Sequence, residues 1–265
     1  MRVLHAAAGA VLALLATGRS GQAADPLPET QAAVGSIGGS VRFEGKAPAG
    51  ERFDLAPAER ALCGVFKRDL PFEVGRGGGL RGVVVFLAEP APAAVGSMPP
   101  EMVTLTMRTC EWTPRMLDAT VGQALALSNQ DAAPLQPELR WRGAKSSANG
   151  ASRPRTLYLP SKGQQAAIAL RSAGIVDVDC AGCRSWSRAE VQVFGHPFHD
   201  VTDERGAFEI HGVPAGTYTL VARDRSLGEQ ATSVIVVAGQ RTEVPLKFAL
   251  PSATSAPGPK PSGVP

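Results

Sequence analysis

The chain has 265 residues, of which 27 are basic and 24 are acidic. Arg2 and Arg19 are the only charged residues among the first 24, so 25 basic residues face 24 acidic ones if that stretch is removed. This near balance of charge, with only two Tyr in the chain, argues against a nucleic-acid-binding surface. The length suffices for one large β domain or two small ones.

Residues 1–24 have the features of a signal peptide. Arg2 supplies a positive start, residues 3–16 are apolar, and Ala23 and Ala24 suit cleavage. The rival interpretation is an uncleaved anchor, but the apolar run is short for crossing a bilayer. We therefore expect an exported protein, periplasmic or extracellular, with no transmembrane segment in the mature chain.

After a flexible lead-in at residues 25–36, short runs of alternating or continuous apolar residues predict β-strands separated by Gly, Pro and Asp turns. The predicted strands cover residues 41–43, 82–87, 102–107, 124–128, 156–159, 166–170, 175–178, 190–194, 208–210, 217–222, 233–237 and 243–248. Short strands at this spacing are typical of antiparallel sandwiches. We predict an all-β fold, ending in a disordered tail at residues 251–265, which are rich in Pro, Ser, Ala and Gly.

A long polar segment at residues 132–155 interrupts this pattern, with Arg140, Trp141 and Arg142 near its centre. Loops of that length are often functional, because they can present recognition side chains on a rigid sandwich. We predict that these three residues form a binding loop for an unknown envelope protein or ligand. The alternative is a solvated loop that binds nothing.

Four cysteines in an exported chain indicate disulfides before metal sites. Three pairings are possible, and sequence proximity groups Cys180 with Cys183, which leaves Cys63 with Cys110. The Cys180/Cys183 pair also suits a redox-active thiol pair, which makes a thiol–disulfide protein one alternative function.

A second alternative is a metal-binding or electron-transfer protein. Cys180, Cys183, His196 and His199 have almost the spacing of a two-Cys, two-His zinc site, and copper would be the other metal to consider. Against this alternative, the histidines of a zinc finger lie on a helix, whereas residues 190–194, just before His196, alternate like a strand.

Several stretches together resemble a known family. They are GSVRFEGKAP, GLRGVVVFL, CEWTP from Cys110, VGQALALSNQD, and FGHPFHDVTDERGAFEIHGVPAGTYTLVARDRSLGEQ. The family consists of exported bacterial proteins, some labelled methylamine-utilisation proteins, in which a cupredoxin-like (plastocyanin-type) sandwich precedes a prealbumin-like module of the carboxypeptidase regulatory kind. The resemblance implies a cupredoxin-like sandwich at residues 37–198 and a prealbumin-like sandwich at residues 199–250, with strand 190–194 shared between them if the boundary lies earlier.

The resemblance also implies what became of the copper site. In the family, one His follows the Asn-x-Asp step and the others lie in a Cys-Asp-x-His-Pro-Trp-Met loop. Leu135 stands at about the first His position here, Cys183 or Arg184 at the second and Ser187 at the Met position. A type-1 copper site would therefore have lost its ligands, and we expect no cofactor. Cys63 and Cys110 resemble cysteines of the family, which supports their pairing.

The sequence contains no Gly-x-Ser-x-Gly nucleophile elbow, and a predicted turn already accounts for Asp200 and Asp203. In that turn, VTDERGAF, we expect Gly206 to adopt a positive φ. We predict no enzymatic activity. The expected function is non-catalytic binding or scaffolding in the cell envelope.

Overall fold

The computed structural model of the chain describes residues 33–88, 102–142 and 154–250. The predicted signal peptide and C-terminal tail lie outside these ranges. The described residues are built mainly from β-strands, which confirms the all-β prediction. None of their helices has the length and apolar character needed to cross a bilayer.

The strands fall into three groups along the chain. The first group is β1 (Val34–Glu44), β2 (Glu51–Asp54), β3 (Phe66–Asp69), β4 (Glu73–Val74), β5 (Leu80–Arg81) and β6 (Val84–Leu87). The second is β7 (Met102–Arg108), β8 (Glu111–Thr113), β9 (Met116–Thr120), β10 (Ala124–Asn129), β11 (Pro137–Arg142), β12 (Arg155–Thr156), β13 (Gln165–Ala169), β14 (Gly174–Cys180) and β15 (Ala189–Phe194). The third is β16 (His199–Val201), β17 (Ala207–Pro214), β18 (Gly216–Asp224), β19 (Gly228–Val236) and β20 (Arg241–Ala249).

Helical structure in the described ranges is short. One α-helix, α1, covers Pro57–Cys63, and 3₁₀ turns occur at Arg76–Gly78 and Ser185–Ser187. Pro57 suits the start of this helix, because a first-turn residue needs no backbone N–H partner.

Strands from both ends of the described chain build one sandwich, which we call the terminal sandwich. One of its sheets has the order β17-β1-β20 and the other the order β16-β6-β18-β19. Strand β1 pairs antiparallel with β17 and parallel with β20, so the first strand closes against the last. The two sheets share one apolar core, which includes Ile37, Leu87, Phe208, Leu220 and Phe248.

The middle of the chain builds the other sandwich, which we call the central sandwich. Its sheets have the orders β13-β10-β7-β8 and β12-β11-β14-β15-β9. Most pairs are antiparallel, but β7–β10 and β9–β15 are parallel. The core between the sheets includes Leu105, Trp112, Leu127, Leu139 and Val191.

The two cores divide the chain differently from the predicted boundary after residue 198. Strands β1 and β6, which we expected in the first sandwich, pack into the same core as residues 198–248. Strand β1 also begins at Val34, three residues before the predicted start of the first sandwich at residue 37. The central sandwich is therefore an insertion between β6 and β16. Local periodicity predicts strands but does not report which distant strand each one pairs with.

Strand β6 explains how the two sandwiches meet. Val85 and Leu87 are fully buried in the terminal core. On the opposite face, Phe86 packs on Phe194 of β15, with ring centroids 4.9 Å apart. A continuous apolar run such as that of residues 83–87 is typical of a strand buried on both faces.

The predicted turn between β16 and β17 is present. Asp203 accepts the backbone N–H groups of Arg205 and Ala207 at 2.7 and 2.9 Å through one carboxylate oxygen. Gly206 has φ +77°, and a Cβ there would lie 2.2 Å from the Val41 carbonyl oxygen. Only glycine suits this position, because both the backbone angle and the space exclude a side chain.

Candidate functional site

Both predicted disulfides are present. Cys63, at the end of α1, bonds to Cys110 in the β7–β8 turn, with their Cα atoms 5.1 Å apart. Cys180, at the end of β14, bonds to Cys183, and the Cys183 N–H donates to the Cys180 carbonyl at 3.0 Å. The first bridge ties α1 to the central sandwich, whereas the second closes a single turn.

The place where the resemblance implies a lost copper site is apolar. Leu135 is 7% exposed and shares the central core with Cys180, which is 6% exposed. The Ala181 N–H donates to the Gln136 carbonyl at 3.1 Å, which holds the two segments together. Among the described residues, no group of three or more His, Cys, Asp or Glu is placed to hold a metal ion.

The four-residue metal alternative is wrong for geometric reasons. Strands β14 and β15 form an antiparallel hairpin in which Gly174 pairs with Val193, while Cys180 lies at the other end of β14. His196 and His199 follow β15 beyond Val193. Six residues of extended strand separate the two ends, about 20 Å at ~3.3 Å per residue. The disulfide also occupies both sulfur atoms.

The predicted binding loop is also corrected. Arg140, Trp141 and Arg142 lie on strand β11, which pairs with β14, and not on a loop. Trp141 packs against the central core. Arg142 bonds to Asp177 and Glu190 at 2.5–2.8 Å. Because side chains alternate along a strand, Trp141 points into the core and the two arginines point to the opposite face of the sheet. The ring and the Arg142 charge therefore contact other residues of the central sandwich.

A polar contact joins the two sandwiches. His199 of β16 lies with Nδ1 2.6 Å from Asp118 Oδ2 and Nε2 2.9 Å from Thr120 Oγ1, both on β9. An imidazole protonated at Nδ1 donates a hydrogen bond to the carboxylate, and its Nε2 accepts a hydrogen bond from the Thr120 hydroxyl. The Phe194 ring stacks on the imidazole at 4.6 Å.

This carboxylate–imidazole–hydroxyl order is the one that activates a nucleophile in hydrolases. Here the hydroxyl and the imidazole are too deeply buried for Thr120 to act as a nucleophile. Thr120 is 4% exposed and the His199 side chain 8% exposed, so a substrate has no access to the hydroxyl. The three groups instead hydrogen-bond to each other in the contact between the sandwiches, where a buried polar group without a partner would destabilise the fold.

The neighbouring His196 is held neutral. Burial, and secondly the nearby His199, lower the pKa of His196 to about 4. Its Nδ1 accepts the Phe198 N–H at 3.2 Å. Burial also raises the pKa of Asp200, although its carboxylate accepts the N–H groups of Val201 and Glu209.

Beside this contact, a cleft with a volume of about 530 Å³ opens between the sandwiches. The central sandwich contributes residues 114–117, Ser185 and residues 188–190, at or just before the start of the paired strands β9 and β15. The other side comes from residues 69–73, from Arg81 and Gly82, and from the segments 201–204 and 224–226. Because both sandwiches line it, the cleft exists only while the insertion stays docked.

The cleft carries many charged side chains. On the central side these are Arg115, Arg188 and Glu190. On the terminal side they are Arg81, Arg225, Asp69, Glu73, Asp203, Glu204 and Asp224, of which Asp69 pairs with Arg115 at 3.4 Å. Apolar side chains, among them Leu70, Phe72, Met116 and Leu117, lie between them.

Sequence reasoning missed this cleft. Its lining comes from separate segments that no local motif connects. One signal was present in EVQVF at residues 190–194, where Glu190 and Gln192 occupy the strand face opposite the core. Both are buried, at 4% and 2% exposure, because the terminal sandwich covers that face. The sequence alone does not show the covering.

Comparisons with known proteins give partial alignments only. A reduced-state mutant of amicyanin aligns with 41% of this chain and 97% of its own, at 17% identity and a TM-score of 0.27. Amicyanin from Paracoccus versutus aligns with 41% of this chain and 96% of its own, at 18% identity and a TM-score of 0.28. The copper-containing nitrite reductase from Thermus scotoductus SA-01 aligns with 40% of this chain and 25% of its own, at 17% identity and a TM-score of 0.29.

No family model matches the chain, and no curated protein matches it. Superpositions at these scores carry no argument about copper or electron transfer in this protein. The all-β architecture stands on the sheets and cores described above.

Proposed function

We propose that this chain is an exported, non-catalytic binding protein whose ligand occupies the cleft between the two sandwiches. The observation that carries the proposal is the cleft itself. Its volume of about 530 Å³ falls within the range of small-molecule sites, roughly 300–1,000 Å³. Such sites favour the boundary between two domains and combine apolar lining with a few polar groups, as here.

Other observations support three further parts of the proposal. The disulfides and the predicted leader support an oxidising location, periplasmic or extracellular. The burial of Thr120 makes its hydroxyl unsuitable as a nucleophile, which agrees with the proposed lack of catalysis. The motifs that resemble the exported family support a cupredoxin-like origin for the central sandwich and a prealbumin-like one for the terminal sandwich. The absence of a cofactor stays a prediction, which metal analysis of the purified protein checks.

The test is a thermal-shift screen of the purified chain against small molecules and short peptides. A ligand should raise the melting temperature of the wild-type chain, because a ligand that binds only the folded state stabilises it. The variant Ser226→Trp places an indole in the cleft at an exposed position and should abolish that increase. The matched control is Ser233→Trp on the exposed part of β19, which should respond like wild type. Hits that shift Ser226→Trp and wild type equally would show that the cleft is not the site.

A further inference from the structure

We infer that the ligand of the cleft is amphoteric, with a cationic group and an anionic group at opposite ends of an apolar body, as in a short peptide with free termini. This inference rests on the proposed function of the cleft. It follows from the different charges of the two walls.

The wall formed by the central sandwich is basic. Arg115 donates to the Leu70 carbonyl and to Asp69 at 3.3 and 3.4 Å, which are long contacts that a ligand carboxylate can replace. Arg188 is half exposed and lies 3.5 Å from Asp179. The acid of this wall, Glu190, is already bonded to Arg142 at 2.7 Å and to Gln192 at 3.2 Å. The charge that the wall offers a ligand is therefore positive.

The wall formed by the terminal sandwich is acidic, with five carboxylates, one of them Asp69 paired with Arg115, against two guanidinium groups. Arg81 is shared between Glu73 at 3.9 Å and Glu204 at 3.3 Å. Asp224 is only 7% exposed, and its Oδ1 accepts the N–H groups of Ser226 and Leu227. Within the described residues, its second oxygen, Oδ2, has no hydrogen-bond donor. Burial raises the pKa of Asp224, as expected for a carboxylate that lacks a cationic partner.

Apolar side chains line the cleft together with these charged groups. Pro71 and Phe72 follow Asp69 on one side, and Met116 and Leu117 follow Arg115 on the other. A ligand that spans the walls would place its apolar part against these groups. A purely anionic ligand would face the carboxylates of the terminal wall, and a purely cationic one would face Arg115 and Arg188. Such like-charge contacts are unfavourable, and they select against both classes.

The experiment is isothermal titration of the full mature chain with trileucine, N-acetyl-trileucine and trileucine amide. Acetylation removes the cation and amidation removes the anion, while the apolar body is unchanged. Trileucine should bind tightest, and each cap should raise the Kd by about 5- to 10-fold, the range for losing one charge-assisted contact in a partly exposed site.

Two variants assign each terminus to its wall. Arg115→Gln should remove the difference between trileucine and its amide, and Asp224→Asn, which keeps the acceptor for the turn N–H groups, should remove the difference between trileucine and its acetylated form. Arg140→Gln on β11 and Asp54→Asn on β2 are the matched controls and should retain both differences. If either cleft variant fails to fold, Arg188→Gln or Glu73→Gln replaces it.

The inference is overturned if the three peptides bind with equal affinity, if none of them binds, or if the cleft variants keep both differences. Failure of the cleft itself has a different signature. A capped peptide that binds wild type as tightly as trileucine does, but does not bind Ser226→Trp, would keep the cleft as the site and reject the amphoteric ligand. A peptide that binds Ser226→Trp as well as wild type would reject the site.

Discussion

At the scale of single residues, His199 shows how the chain uses polar groups in the contact between its sandwiches. Its two ring nitrogens contact Asp118 at 2.6 Å and Thr120 at 2.9 Å, so no polar atom of the ring is left unpaired. The His196 and His199 pair suggested a metal from the sequence. The structure gives these residues separate roles, because His199 bonds across to β9 while His196 bonds to the backbone of its own turn.

His196 should make the stability of the protein depend on pH. Its pKa is about 4 in the folded chain and about 6.5 when unfolded. Between these values the unfolded state binds more protons, so the free energy of unfolding should fall as the pH drops from 6.5 towards 4 and stay level above 6.5. Allowing for solvent screening of a partly exposed group, we expect a loss of about 1–2 kcal/mol.

Urea denaturation across this pH range checks the prediction in a comparison of variants. His196→Asn keeps an acceptor for the Phe198 N–H and should flatten the decline relative to wild type. His211→Asn changes a histidine whose side chain is 75% exposed and should leave the decline in place. Asp200, whose pKa is raised, acts in the opposite direction in both chains and cancels in the comparison. Equal slopes for His196→Asn and wild type would contradict the account.

At the scale of elements, sequence patterns predicted most strands but not their partners. The alternation in TYTLVA and EVPLKF corresponds to β18 and β20. The pairing of β1 with β20 joins residues about 200 positions apart in the sequence, and no local period encodes it. The prediction that Arg140, Trp141 and Arg142 lie on a loop was wrong for a related reason. An inward Trp141 between two outward arginines is a strand pattern, but the surrounding segment is polar overall, which favours a loop.

The two disulfides should differ in how much they stabilise the fold. Cys63 and Cys110 are 47 residues apart, and Cys180 and Cys183 only three. In the chain-entropy account, the long loop is worth about 4 kcal/mol and the short one about 2 kcal/mol, because closing a longer loop restricts the unfolded chain more. Replacing both cysteines of each pair with Ala and measuring the free energy of unfolding tests this order. A larger loss for the Cys180/Cys183 pair would point to a role beyond chain restriction.

At the scale of the whole molecule, the central sandwich is an insertion in the terminal one, and the cleft is a product of their docking. This arrangement explains why the candidate site was not predictable from the sequence. Arg115 follows β8, Arg81 ends β5 and Asp224 ends β18, so only the assembled fold brings them around one cavity. The resemblance to an exported family implied a boundary after residue 198, whereas β1 and β6 pack into one core with the strands that follow that residue.

The most direct test of the account is a two-dimensional ¹⁵N–¹H spectrum of the labelled mature chain during titration with trileucine. We predict that the largest amide shift changes fall in residues 115–117, 188–190 and 201–204, which line both walls of the cleft. Arg140→Gln should give the same pattern, and Ser226→Trp should remove it. Shift changes confined to one wall, or centred on β11 or the Cys180–Cys183 turn, would contradict a binding site between the two sandwiches.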